Sequence, residues 1–522
     1  MSTNRLLPAF VVVVLLCLLT GQSVQAEVKL APIFGSDMVL QCDRPVPVWG
    51  TAQPGEKITI QFAGQTKTTS AGPDGKWRAD LTALKTNATP QSFTVSGSST
   101  IELTNVLVGE VWVCSGQSNM DWKLPESQNG AEATAAASHP NLRLFFVPRR
   151  MRPPGNQLDG SLWRTCTPDS VKMFSAVAYY FGREMQEKLD VPVGIIHSSW
   201  GGTPAEAWTP IEYLNSNDEL RPILEREKAY AAERPKAQAE YDATLKKWTE
   251  ESAKARAEGR TPTSRPVQPD STRLNWVPAS LWSGMLEPAV PFTIRGFLWY
   301  QGESNADRAQ QYRTLLPTMI KSWRDKWDQP DLPFGIVQLP NYHAPSTQPD
   351  DTDWSHLRDA QLHTFKTIPN TGLIVTIDLG DPDDIHPKNK LDVGNRAARW
   401  ALESVYGKPA GGKSGPIYSS SKVNGSKVVV TFNEAGDGLA VHDGGQLNEF
   451  EVAGTDKVWY WASAKIVGKD QVEVWSNEVA SPSAVRYAWN SDPVHPNLTN
   501  STGLPASPFR TDDWPGPTDG KR

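Results

Sequence analysis

The sequence predicts an α/β protein: a three-layer α/β/α core around a parallel sheet, flanked by N- and C-terminal β-sandwich-like modules. Three observations predict it. Apolar runs recur at 106–113, 191–197, 294–300, 334–339 and 372–378, each ending in small, polar or turn residues. Helical patterns lie among them, and unbroken apolar runs of this kind read as parallel strands covered on both faces. On either side of this region, short alternating runs are punctuated by Gly, Pro and Asp turns, the pattern of antiparallel sheets.

The elements follow in chain order. Arg5, an apolar run over 9–19 and Ala26 before Glu27 describe a secretory signal peptide over 1–26, so the mature chain is expected to be secreted or periplasmic. The apolar run is too short to span a bilayer comfortably, and no membrane contact is expected after cleavage. Cys17 does not make it a lipoprotein signal, because Leu16 stands where a small residue is wanted. Residues 27–105 form an N-terminal β domain, with alternation at 57–62 and 92–96 and turns at Pro54-Gly55 and 72–75. Residues 106–410 form the α/β domain. Within it, 171–189 is an amphipathic helix with Phe174, Ala178, Phe181 and Met185 on one face. A charged helical insertion occupies about 217–272, ending in a Pro- and Thr-rich connector. A last helix over 390–406 is capped by Gly407. Residues 411–522 are a second β module and a Pro-rich tail.

At 522 residues the chain exceeds one compact core, so two to four domains are expected. Removing 1–26, which carries one Arg and no acid, takes the net charge from −6 to −7. That mild acidity argues against nucleic acid and anionic membranes as partners. Twenty Trp is a high number, and it leans weakly toward flat polyhydroxylated ligands. Three cysteines remain, Cys42, Cys114 and Cys166, which permits at most one intrachain bridge; Cys114–Cys166 is a possible pair. No cysteine spacing resembles a zinc site, and the oligomeric state is left open.

Ser118 follows the 106–113 run at an abrupt break into Ser-Gly-Gln-Ser-Asn-Met. Alone it reads equally as a turn capping the next helix. A nucleophilic serine needs a base, an orienting acid and oxyanion donors. The best base is His386, in Asp381-Pro-Asp-Asp-Ile-His386, with Asp383 three residues before it; His197, at the end of the 191–197 run, is its rival. The same loop also reads as a helix cap, or as a calcium loop made by Asp381, Asp383, Asp384 and His386, although the spacing matches no EF-hand. Gly201 and Gly202 can bring backbone N–H groups close to a substrate, and Gln301 or Asn305 can present a side-chain amide, with Glu303 between them. Each has a plain alternative: a glycine turn, a strand cap, a solvated acid. Polar turns closing four successive strands favour one shared site.

Four motifs occur in order: 116–120 (Gly-Gln-Ser-Asn-Met), 200–203 (Trp-Gly-Gly-Thr) with Glu206 and Trp208, 299–305 (Trp-Tyr-Gln-Gly-Glu-Ser-Asn) and 383–387 (Asp-Asp-Ile-His-Pro). With 174–183 and 507–514, they make the chain resemble the sialate O-acetylesterase family, a branch of the SGNH (GDSL-like) hydrolases, over nearly its whole mature length. The resemblance implies an SGNH-type core and a serine carboxylic ester hydrolase acting on acetylated carbohydrate without metal or cofactor. It implies Ser118 as nucleophile, His386 as base and Asp383 as its orienter. The oxyanion hole would combine Ser118, Gly202 and Gln301, with Gly201, Asn305 and Glu303 as further oxyanion or substrate contacts. The absence of Gly-x-Ser-x-Gly disfavours an α/β-hydrolase elbow. The substrate is expected to be an acetylated sialic acid or, alternatively, acetylxylan or another plant or algal polysaccharide. A catalytically silent glycan-binding protein is the rival of another class. A lipase-like or thioester-cleaving SGNH hydrolase is disfavoured by the lack of a long apolar lid.

Overall fold

The computed structural model describes residues 27–151, 158 and 160–522; the signal peptide expected over 1–26 lies outside them. The organising element is one 17-residue strand, β1 (Thr100–Gly116). Its first six residues alternate between exposed and partly covered, and its last eleven are all buried. The first half pairs antiparallel with Asn87–Ser96 in the N-terminal β module, and the second half is the centre of the parallel sheet. The change falls at Asn105, whose φ of 58° bends the strand. The boundary expected at 105/106 therefore lies inside a continuous strand.

The core sheet adds β2 (His139–Phe146), β3 (Trp163–Cys166), β4 (Val193–Ser199), β5 (Gly296–Tyr300), β6 (Phe334–Val337) and β7 (Thr371–Ile374), in the order β3-β2-β4-β1-β5-β6-β7. Every neighbouring pair is parallel except β3 with β2. After β1, the chain builds first to one side and then to the other, which creates a topological switch point at β1. Register puts Gly116, Ser199 and Tyr300 level at the carboxyl ends of β1, β4 and β5. Three turns therefore start side by side.

Helices cover both faces. The first, α1 (Ala176–Leu189), begins later than its sequence pattern because the Ser175 hydroxyl accepts the Ala178 N–H and sets the N-terminus there. The charged insertion is a single 37-residue helix, α2 (Arg221–Ala257), that buries only Ile223, Ser252 and Ala255. Good helix formers on either side carry it past Pro235. On one sheet face α3 (Ala309–Lys326) sets Trp323 against Phe297, Trp299 and Phe334, with ring centroids 5.2–5.7 Å apart. Next to it runs α4 (Asp353–Thr367). On the other face α5 (Lys390–Tyr406) lays the Trp400 indole over Gly335 and Gly372, where an added Cβ would stand 2.6 and 2.0 Å from that ring. Only glycine leaves room for the indole at those two positions. Gly407 closes α5 at a φ of 63°.

The modules are built onto the core. Glu110 of β1 accepts from both Arg295 Nε (2.7 Å) and Nη2 (2.9 Å), from Gln41 of the N-terminal module (2.9 Å) and from the Tyr406 hydroxyl (3.0 Å). A buried ion pair satisfied this fully holds four segments in one geometry. The C-terminal module contains two four-stranded antiparallel sheets, one including Ser463–Ile466 and Gln471–Trp475, the other including Phe450–Ala453 and Trp459–Trp461. Arg358 of α4, fully buried, donates to the backbone carbonyls of Asn490 and Ser491 and ties this module to the core. The possible Cys114–Cys166 bridge does not form: all three thiols are free and buried. Cys114 on β1 and Cys166 on β3 are three strand spacings apart, about 14 Å, well beyond disulfide reach.

Candidate active site

The three level turns are hydrogen-bonded to one another. Gln117 N–H donates to Tyr300 O (3.0 Å), Trp200 N–H to Gly116 O (3.1 Å), and the Gln117 side-chain oxygen accepts from Gly302 and Ser304 N–H (3.3 Å each). Gly116, at a φ of 145°, has Tyr300 O only 2.1 Å from where a Cβ would be, so the β1–β5 approach requires glycine. Ser118 is half-buried at the start of a four-residue helix, Ser118–Asp121. Among the described residues its hydroxyl has no hydrogen-bond partner, which leaves it available to a substrate.

Gly201 packs directly against Ser118: a Cβ added there would lie 3.3 Å from the serine Cβ. Gly202 adopts a φ of 68°, and its carbonyl accepts from the Trp276 indole. Among the described residues the N–H groups of Ser118, Gly201 and Gly202 have no acceptor. Two of them lie in a glycine turn pressed on the serine, and together the three are the backbone donors at hand for an oxyanion.

The expected side-chain donor is occupied elsewhere. Gln301 is fully buried and turned away; its amide donates to Thr203 O (3.2 Å) and Asn305 Oδ1 (2.7 Å), while its oxygen accepts from the Tyr312 hydroxyl (2.9 Å). With both amide protons used, Gln301 has none for an oxyanion. The fallback, Asn305, is buried and engaged as well, accepting from Ala205 N–H (2.9 Å) and donating to Glu206 (2.8 Å). These residues brace the β4 and β5 turns from below.

His386 comes to the same site through two contacts. Its ring stacks on Trp122, one turn beyond the serine, at 5.2 Å and 22°. Asn119, next to the serine, donates to Ile385 O (3.0 Å), next to the histidine. The acid at the ring is Asp384 and not Asp383. Asp384 Oδ1 accepts the His386 backbone N–H at 2.9 Å and lies 3.5 Å from Nδ1, whereas Asp383 is exposed and donates its own N–H to Asp381. The loop turns tightly enough for the residue two back, and not three back, to reach the imidazole. Among the described residues no group of three or more His, Cys, Asp or Glu gathers in a way that could hold a metal, so the calcium alternative for this loop has no support in the geometry. The rival His197 is sealed between Phe146 and Phe174, with Nε2 on Ser199 Oγ (2.6 Å). Burial pushes its pKa down to about 3, and it is walled off from substrate.

One group escaped the sequence reading altogether. Lys390, the first residue of α5, is fully buried beside the site and donates to Asn119 Oδ1 (2.5 Å), while Asn119 donates to Glu303 Oε1 (2.7 Å). Its ammonium lies over Trp122 (5.8 Å) and Tyr300 (5.6 Å). Burial pulls the Lys390 pKa down to about 7 and raises that of Glu303, whose Oε2 has no hydrogen-bond partner among the described residues. A lysine in the first turn of a helix opposes the helix dipole, which was the available signal. Asn119 thus joins the serine turn, the Glu303 turn and the histidine loop.

Burial, and then the Lys390 charge, lower the His386 pKa against the opposing pull of Asp384. A lowered pKa keeps the imidazole neutral, hence basic, to more acidic pH. While Lys390 carries its charge it opposes protonation of His386. Lys390→Met is therefore expected to move the acid limb of the kcat/KM–pH profile upward, and Lys390→Arg to leave it nearer its original place. A limb unmoved by the Met substitution would remove the electrostatic coupling.

Comparison with known proteins gives a consistent answer. Residues 272–403 match the family described as carbohydrate esterase, sialic acid-specific acetylesterase, a stretch that includes Glu303, His386 and Lys390. The chain is 27% identical to the human protein named sialate O-acetylesterase, covering 94% of each, and 29% identical to that of Rattus norvegicus, covering 74% and 76%. Among solved structures, a carbohydrate acetylesterase from Xanthomonas citri is 35% identical, with a TM-score of 0.79, over 94% of this chain and 100% of the other.

Proposed function

Because the chain belongs to the sialate O-acetylesterase family of carbohydrate esterases, we propose that this carboxylic ester hydrolase removes O-acetyl groups from glycans by a Ser118–His386–Asp384 acyl-enzyme mechanism outside the cytoplasm. His386 takes the Ser118 proton as the oxygen attacks the acetyl carbonyl, and Asp384 holds the other imidazole nitrogen. The oxyanion rests on the N–H groups of Ser118, Gly201 and Gly202. His386 then protonates the departing sugar oxygen as the ester C–O bond breaks. A water molecule, giving a proton to His386, attacks the acetyl-enzyme; acetate leaves and Ser118 recovers its proton.

The observation that carries this reading is the tie from Asn119 to Ile385, which brings an unengaged serine and an imidazole into one half-buried site. The glycan is an acetylated sialic acid or a neutral acetylated polysaccharide such as acetylxylan; one relative is named for sialate and another for carbohydrate in general. Acetate release by the purified mature protein, measured side by side on 9-O-acetylated sialic acid and acetylated xylan oligomers with Ser118→Ala as the blank, tests it. Release from either substrate above the blank supports the esterase reading and chooses the sugar. Release from neither, with Ser118 inert to a fluorophosphonate, overturns it. The extracytoplasmic location rests on the signal peptide pattern, and N-terminal sequencing of the exported protein is expected to begin at Glu27.

A further inference from the structure

A cleft of about 800 Å³ opens in the C-terminal module, with a lining separate from that of the serine site. It lies where the chain crosses at residue 462 from one sheet of the module to the other, and it is walled by Trp461 and Trp475 with Gln446, Asn448, Lys465 and His495. Its size is that of a small-molecule or oligosaccharide pocket.

Both indoles are held in place. Trp461, 37% exposed, donates its ring N–H to Thr347 O (3.1 Å) in the loop between β6 and α4. Trp475 carries the Lys427 ammonium over its ring at 4.5 Å, and Lys427 is itself paired with Glu473 (2.6 Å). Partly open aromatic rings fixed in advance bind flat ligands without the entropy cost of ordering them. The polar groups at the rim include amides, a hydroxyl (Ser463), an imidazole, one ammonium and the Glu449 carboxylate. With no excess of positive charge, the cleft suits an uncharged ligand with an apolar face and hydroxyl edges, which is a pyranose chain.

The cleft is also joined to the loop that carries the base. His495 follows shortly after Asp492, which accepts from Asn341 Nδ2 (2.5 Å), and Asn341 Oδ1 accepts the N–H of Gly380, which opens the loop to Asp384 and His386 (2.7 Å). We propose that this cleft is an accessory subsite for neutral sugar residues of the same chain whose acetyl ester is cleaved at Ser118. The inference rests on the carbohydrate esterase reading and narrows its substrate to neutral oligo- or polysaccharides.

The test has two readouts on the full mature chain. The first is calorimetric binding of xylohexaose, cellohexaose and mannohexaose, with acidic colominic acid alongside, to the Ser118→Ala protein with and without Trp461→Ala. At least one neutral hexasaccharide is expected to bind, and to bind about tenfold more weakly without the indole. The second is the ratio of kcat/KM on acetylated xylo-oligosaccharide to that on 4-nitrophenyl acetate, which is expected to fall about tenfold in Trp461→Ala and much less in Trp461→Phe. Should Trp461→Ala fail to fold, Gln446→Ala and His495→Ala, both exposed positions, replace it. Neutral glycans bound equally with and without the cleft substitutions, or colominic acid bound in preference to all of them, would overturn the proposal. Failure of the esterase reading alone would appear differently, as glycan binding at the cleft without acetate release from any sugar.

Discussion

Ser118→Ala is expected to lower kcat by roughly 10³-fold or more while leaving the folded protein intact. In the proposed mechanism the substitution removes the atom that forms the acyl bond. Yet it disturbs little else, because among the described residues the Ser118 hydroxyl has no hydrogen bond to lose, and the turn is held by Gln117, Asn119 and Gly116. Thermal unfolding should shift by little, since no buried polar partner is stranded. The decisive combination is therefore lost acetate release with an unchanged melting curve. Retained turnover would take Ser118 out of the mechanism. A collapsed melting curve would make the serine structural, contrary to its unengaged geometry.

Replacing Asp384 by Asn is expected to cost roughly 10²- to 10⁴-fold in kcat, and replacing Asp383 by Asn to cost little. An amide at 384 removes the carboxylate charge that favours the imidazolium formed when His386 takes the proton. Asp384 also accepts the His386 backbone N–H, so the loop itself depends on it. Asp383 points into solvent with no contact to the ring. The pair of variants, assayed together on one acetylated sugar, decides between them. Large loss in Asp383→Asn with a mild effect in Asp384→Asn would restore the spacing-based assignment and show that the loop rearranges when substrate binds.

Much of the candidate site was legible because strand ends are legible. Apolar runs that stop in Gly, Ser and Asn locate the carboxyl edge of a parallel sheet, and the switch-point rule says that ligands bind there. Ser118, the two glycines, Glu303 and His386 were all found in that way. Gln301 was misread for a physical reason: its place at the end of β5 is visible in sequence, but the direction of its side chain depends on Thr203, Asn305 and Tyr312, which arrive from three other segments. Lys390 was read only as the first residue of the last helix, since burial of its ammonium appears only once Asn119, Trp122 and Tyr300 close around it.

The chain's periodicities, glycines and local turn chemistry determined its layers, the carboxyl edge where the candidate site lies, the Gly407 cap and the candidate serine and histidine at that edge. Those are properties of neighbours in sequence, set by backbone sterics and by the burial of apolar faces. Only the tertiary structure decided that Asp384 and not Asp383 faces the imidazole, that Gln301 spends its amide internally, and that β1 passes unbroken from one module into the next. Each of these turns on which of several chemically equivalent groups finds a partner across hundreds of residues, and short-range pattern carries no information about partners that far away.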